Sequence, residues 1–190
     1  MKKKTEGFSL IELLVVVAII GVLAAVGIVG YQQYINNTKA DVTKANARSL
    51  ERWVVSTQLS RAGGLTVEPA DCAVQTAKLE VCFDQTMVDP KGPLEKFKNP
   101  YFPSQPDAPI LIYAATPVAD GAACTFSPSK VARVDKTVTT AALTTITSPG
   151  TLVVSKVGTA DSLSLTNNDL RVGYCDSNGV FKVVGASLPF

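Results

Sequence analysis

Gly7-Phe8-Ser9-Leu10-Ile11-Glu12-Leu13 opens an apolar run that continues without another charge to Gly30. From Phe8 onward the run reaches the roughly 20 residues that a helix needs to span a bilayer core. One carboxylate interrupts it. An ionised acid costs about 2.5–3.5 kcal/mol at the centre of a membrane helix on insertion scales, so a chain that needed only an anchor would gain by losing Glu12. The residue therefore calls for a partner. Ahead of the run stand Lys2, Lys3 and Lys4, which the positive-inside rule holds on the cytoplasmic side, sending the rest of the chain outward.

Three fates compete for such an N-terminus. A secretory signal would be cut after the apolar stretch, where Ala25-Val26-Gly27 offers a small-x-small site. A permanent anchor would stay uncut. Neither accounts for an acid near the start of the run, or for the abrupt junction between Gly7 and Phe8.

The third fate comes from a resemblance. A short basic leader ending in Gly7, then Phe8, then a glutamate at the fifth position beyond the junction, then a long apolar helix, resembles the signature of type IV pilins, in its short-leader, type IVa-like form. The likeness is detailed from Lys2 to about Ala25 and only architectural in the later part of the chain. It implies that prepilin peptidase cuts between Gly7 and Phe8 and methylates the new Phe8 amine. It also implies a partner for Glu12: the Phe8 amine of a neighbouring subunit, met as the chain enters a helical fibre. Removing one member of a buried pair typically costs about 3–5 kcal/mol, because the survivor is left uncompensated. The implied partners are further copies of the chain, the peptidase, the pilus assembly machinery and, before assembly, the inner membrane; the implied destination is an extracellular pilus serving adhesion, twitching motility or DNA uptake. A pseudopilin or minor pilin of a secretion or competence system shares the signature. A membrane-anchored periplasmic protein that never polymerises is the reading from another class.

After Gly30 the pattern becomes amphipathic. Tyr31, Tyr34, Ile35, Thr38, Val42, Ala45, Ser49, Trp53 and Val54 recur at three- and four-residue intervals and read as a packing face, with Lys39, Asp41, Lys44, Arg48, Glu51 and Arg52 opposite. Gly63 and Gly64 follow Arg61 as a stop signal. One helix is expected from Phe8 to about Ser60, roughly 80 Å at 1.5 Å per residue, so its second half needs a soluble domain to pack against. Many pilins carry a proline late in the apolar stretch; here none precedes Pro69, and Gly27 and Gly30 are the residues that would weaken the helix instead.

The organisation expected is a leader at residues 1–7, a membrane and filament-core helix at 8–30, an amphipathic helix at 31–61 and a disulfide-stapled head at 62–190. The fold class is α+β, with the second half of the long helix packed on an antiparallel sheet. About 130 residues follow Arg61, enough for one domain with its own core. Taking Lys2, Lys3, Lys4 and Glu6 from the 18 basic and 16 acidic side chains leaves 15 of each, so no field over the whole chain points to nucleic acid. The neutrality is internally divided: residues 31–61 hold five basic and two acidic side chains, residues 62–190 ten and twelve.

Seven of the 11 prolines fall between Pro69 and Pro109, which predicts a long loop there. Residues 110–116 read as a buried strand, 122–126 and 131–138 as weaker ones, and the threonine-rich stretch 137–151 as a surface strand and turn. Residues 170–175, the turn Asp176-Ser177-Asn178-Gly179 and residues 180–184 read as a hairpin. Asn36-Asn37-Thr38 fits a glycosylation acceptor only as a short match.

Cys72, Cys82, Cys124 and Cys175 all lie in the part expected outside the cytoplasm, where disulfides persist. Spacing leaves three connectivities open; the resemblance favours Cys72 with Cys82 and Cys124 with Cys175. No Cys-x-x-Cys pair supports a zinc site. There is no histidine, which removes the usual nucleophile–base pairs, and the scattered acids select no catalytic pair. No enzyme, cofactor or metal is expected. Asp176-Ser177-Asn178-Gly179 and Asn167-Asn168-Asp169 resemble calcium-loop fragments, but tight turns use the same residues.

Overall fold

The computed structural model describes residues 7–65, 96–105, 109–114, 118–125, 128–133, 138–139, 148–156 and 170–185. It holds a long helix, α1 (Leu10–Ala62), and six strands: β1 (Pro109–Ala114), β2 (Pro128–Arg133), β3 (Val138–Thr139), β4 (Leu152–Lys156), β5 (Leu170–Cys175) and β6 (Phe181–Val183). The fold is α+β, as the sequence leads one to expect. By contacts the chain divides into two compact units, residues 1–38 and 39–190.

In the first unit α1 is apolar on all sides. Every large apolar side chain from Phe8 to Val29 is exposed, and the helix is long and apolar enough to cross a membrane. Helical backbone is unbroken through Gly27 and Gly30, although each glycine costs about 1 kcal/mol relative to alanine.

In the second unit α1 buries Thr43, Ala47, Leu50, Val54 and Thr57, a four-three-four-three spacing that keeps them on one face. This corrects the packing face expected from the sequence. Tyr31 and Tyr34 are each 66% exposed and Val42 42%, and Ala45 is exposed as well. The face carrying Val42 and Ala45 lies about one residue, or 100°, round the helix from the buried one. Thr43 can serve as a buried residue because it returns its hydroxyl to the Lys39 carbonyl at 2.9 Å. The helix stops at Gly63 and Gly64, where the Leu65 N–H reaches back to the Ser60 carbonyl at 2.9 Å.

The strands form one sheet in the order β3-β2-β1-β4-β5-β6. It is antiparallel at every pairing but one: β1 and β4 run parallel, with Ile112 opposite Val153. The sequence gives no sign of that pairing, and β4 is the strand that its reading lacks. The short run Leu152-Val153-Val154 sits directly behind the Ser148-Pro149-Gly150 turn and shows no alternation, because residues 151–155 are all buried and both sheet faces are covered. The terminal hairpin is as expected. Of the strand expected at 122–126, the described residues 122–125 form none; Ala123 makes a single bridge to Val180. The expected strand at 131–138 is shared between β2 and β3.

Alternation along β4 and β5 sends Leu152, Val154, Val172 and Tyr174 to one face and Val153, Ser155, Gly173 and Cys175 to the other. On the second face Phe181, Cys175, Cys124, Val153, Ala114 and Val118 form a buried cluster. The Phe181 ring lies against Gly173, where a Cβ would overlap it; a phenylalanine so buried contributes about 1.5–3 kcal/mol. The first face is the helix side. Arg48 lies near Tyr174, and the Gly185 backbone presses on the Glu51 carboxylate.

Residues 118–125 close the outer edge of β6. Gly121 N–H donates to the Phe181 carbonyl at 2.9 Å, Phe181 N–H to Ala122 at 2.8 Å and Cys124 N–H to Gly179 at 2.7 Å. The Asp120 carboxylate accepts the Val183 N–H at 2.8 Å, and Arg171 holds the Val118 carbonyl at 2.9 Å.

Residues 96–105 dock through Asn99, which is buried, donates to the Pro149 carbonyl at 3.0 Å and accepts the Tyr101 N–H at 3.0 Å. Gly150, at φ 80°, sits beneath Asn99 and Tyr101 so tightly that a Cβ would overlap both. Gly121 has a similar φ of 82° but open space around it. Lys39 lies over the Tyr101 ring at 5.6 Å from its centroid. Burial raises the pKa of the Tyr101 phenol, which the nearby Ser177 hydroxyl opposes and the Asp176 carboxylate increases. Burial likewise raises that of Tyr174.

Gly121→Ala meets only the left-handed backbone penalty of about 1–2 kcal/mol, whereas Gly150→Ala adds overlap and costs at least about 1 kcal/mol more. Urea unfolding of the detergent-solubilised chain, read by fluorescence of its single tryptophan, Trp53, checks the order. The two phenols hold their protons more tightly folded than unfolded. The stability they add is therefore complete below about pH 10 and is lost as pH rises through their folded-state values. The unfolding free energy should fall above that pH, and fall less steeply in Tyr101→Phe.

Candidate functional site

The residues singled out at the N-terminus converge on the start of α1. Gly7, Phe8 and Ser9 precede the helix in non-helical backbone, and Phe8 is 81% exposed. Nothing lies within 4 Å of where a Gly7 side chain would begin, so the fold itself makes no demand for glycine there. Phe8 and Glu12 border the same shallow groove, with Ile11, Val15 and Val16 along its length.

Glu12 stands in the first turn of α1. Its Oε2 accepts the Ser9 N–H at 2.9 Å, and the Ser9 carbonyl accepts the first helical bond, from Leu13 N–H, at 3.2 Å. Ser9 is thus the N-cap and Glu12 the third helical residue, which returns its carboxylate to the cap as in a capping box. The sequence reading missed this local role, although the Ser-x-x-Glu spacing ahead of an apolar run announces it. An anion in the first turn also meets the positive end of the helix dipole, a contact worth about 0.3–1 kcal/mol. One oxygen of Glu12 is taken in this way, and the other is not used by the cap.

In the head, Cys124 and Cys175 form a disulfide with Cα atoms 5.9 Å apart, both buried in the Phe181 cluster. It ties the edge-covering segment to the end of β5 across 51 residues of sequence, a loop whose closure adds about 4 kcal/mol on the chain-entropy account. Cys72 and Cys82 lie outside the described residues, as does Asn167-Asn168-Asp169. At the hairpin, Asp176 Oδ1 accepts the Asn178 N–H at 2.9 Å and the Val180 N–H at 2.8 Å. Its carboxylate serves the turn. Among the described residues no group of three or more histidine, cysteine or carboxylate side chains is placed to hold a metal.

Residues 2–28 match the prokaryotic N-terminal methylation motif. Over 83 residues, 44% of this chain and 42% of the relative, the sequence is 40% identical to the type IV major fimbrial protein FimA of Dichelobacter nodosus. It is 39% identical over 74 residues to the fimbrial protein EcpC of Eikenella corrodens, covering 38% of this chain and 45% of that one. It is 56% identical over 43 residues to a fimbrial protein of Pseudomonas aeruginosa, covering 23% and 27%. The chain thus spans less than half the length of these relatives. No solved structure matches it significantly. The type IV pilin motif read from residues 7–13 is present at this N-terminus.

Glu12→Ala removes the acceptor for Ser9 N–H, whereas Glu12→Gln keeps an oxygen there. With one such bond worth about 1 kcal/mol, amide exchange over residues 9–13 in detergent micelles should quicken about fivefold in Glu12→Ala and stay near the parent rate in Glu12→Gln.

Proposed function

We propose that this chain, with its N-terminal methylation motif and its likeness to fimbrial proteins, is a structural subunit of a type IV pilus and not an enzyme. In this reading prepilin peptidase cuts between Gly7 and Phe8 and methylates the Phe8 amine. The chain waits in the inner membrane and then polymerises with further copies through α1, delivered by the pilus assembly machinery to the cell surface. Cys72 and Cys82 close a second disulfide in the outward-facing head.

The observation that carries the reading is the uncovered apolar surface of α1. Large apolar side chains from Phe8 to Val29 are exposed all round the helix, at about 25 cal/mol per Å² left in water. Lipid covers that surface before assembly, and the helices of other subunits cover it afterwards. Glu12 fits the exchange. Its bond to Ser9 N–H offsets part of the cost of an acid in lipid, and its remaining charge pairs with the Phe8 amine of a neighbour inside the fibre, where each buried charge answers the other.

Shearing cells and weighing the released protein tests the proposal. The expected product starts at Phe8 and carries one added methyl; material that stays with the cells and retains residues 1–7 would refute it. Glu12→Gln and Glu12→Ala should both be cut normally and both yield few filaments by electron microscopy. Abundant normal filaments from Glu12→Gln would assign Glu12 to the helix cap alone.

A further inference from the structure

No charged side chain occurs between Glu12 and Lys39. Lys39 stands 27 positions beyond Glu12, about 40 Å along a helix axis at 1.5 Å per residue, and a bilayer with its headgroup layers is about 40–45 Å thick. Within this uncharged stretch the composition changes once, at Tyr31. From Leu13 to Gly30 every side chain is apolar; from Tyr31 to Thr38, where the first compact unit ends, phenols and amides take over. Tyr31 and Tyr34 lie on one side of α1 and Gln32, Gln33, Asn36 and Asn37 on the other, and all six are exposed. Tyr31 stands 19 positions beyond Glu12, about 28 Å at the same rise, which matches a hydrocarbon core of roughly 30 Å. Helical backbone is unbroken between the two, so that spacing is fixed.

We infer that Tyr31 and Tyr34 seat α1 in the outer headgroup layer of the membrane and thereby hold Glu12 at the inner edge of the hydrocarbon core. The inference rests on the membrane-stored subunit proposed above and adds the depth at which that subunit waits. A tyrosine at the boundary keeps its ring against acyl chains and its hydroxyl among hydrated headgroups, so it opposes movement in either direction. The uncharged amides on the other side of the helix hydrogen-bond headgroups and water without excluding either. With the outer end fixed, Glu12 lies one core thickness away, in reach of the inner headgroup layer, and escapes the cost of an acid at the bilayer centre. The Gly7–Phe8 bond then falls beyond Glu12, on the side of Lys2, Lys3 and Lys4.

The test uses the full chain in phosphatidylethanolamine–phosphatidylglycerol vesicles whose acyl chains carry bromine either close to the headgroup or close to the bilayer centre. Tryptophan probes are introduced as Tyr31→Trp, Leu13→Trp and Ile20→Trp, and the parent signal from Trp53 is subtracted. Tyr31→Trp and Leu13→Trp should be quenched more by the shallow bromines, and Ile20→Trp more by the deep ones. Adding Tyr31→Ser/Tyr34→Ser to Leu13→Trp should abolish its preference for the shallow bromines. Quenching of Tyr31→Trp mainly by the deep bromines, or by neither set while Ile20→Trp responds, would overturn the inference and leave the membrane-stored subunit standing. So would an unchanged depth of Leu13→Trp in the Tyr31→Ser/Tyr34→Ser chain together with lost filaments in cells, which would give the tyrosines to a neighbouring subunit. Failure of either bromine set to quench Ile20→Trp would overturn the membrane-stored subunit, and this inference with it.

Discussion

The structure depends on a helix whose first 20 residues stay exposed among the described residues. A soluble domain resolves such a problem by burying one stripe of a helix against a core. Here the apolar side chains surround the helix, so one partner element could not suffice, and the medium itself must be apolar or the neighbours must come from all sides. Glu12 has local work within this constraint, holding the Ser9 N–H at the helix start. The pairing proposed for Glu12 would call on a different oxygen from the one that caps the helix.

The second half of α1 obeys another rule. It is a stripe helix, and the head covers the face of Thr43, Ala47, Leu50, Val54 and Thr57. Small residues alternate there with larger ones, and Leu152, Val154 and Val172 of the sheet are buried as well. The opposite sheet face is closed by the Phe181 cluster and the Cys124–Cys175 disulfide. The mixed topology follows from this layering: a strand buried on both faces gains from apolar neighbours whichever way they run, and β4 lies between β1 and β5, parallel to the first and antiparallel to the second.

Much of this was legible from the residues because the signals were local and strong. An uncharged run of that length, its lone acid, the double glycine after Arg61 and the Asp-Ser-Asn-Gly turn each fix backbone within a few positions. The misses have a common cause. The buried face of α1 was misplaced because Tyr31, Tyr34 and Val42 are larger than Thr43, Ala47 and Thr57, yet the smaller residues are the ones buried. Strand β4 was missed because a strand covered on both faces has no alternation to read, and its parallel partner is about 40 positions away in sequence. The Ser9–Glu12 cap was overlooked because the cost of the acid in lipid drew attention from its spacing to serine.

The covered edge of β6 has a bearing on how such molecules crowd. Subunits gathered side by side would present one another with strand borders at very high local concentration, and an open border is a template for sheet growth between chains. Here Gly121, Ala122 and Cys124 occupy those backbone groups, and the disulfide stitches the occupying segment in place. With that margin sealed, accidental β-zippering between heads loses a foothold on that side.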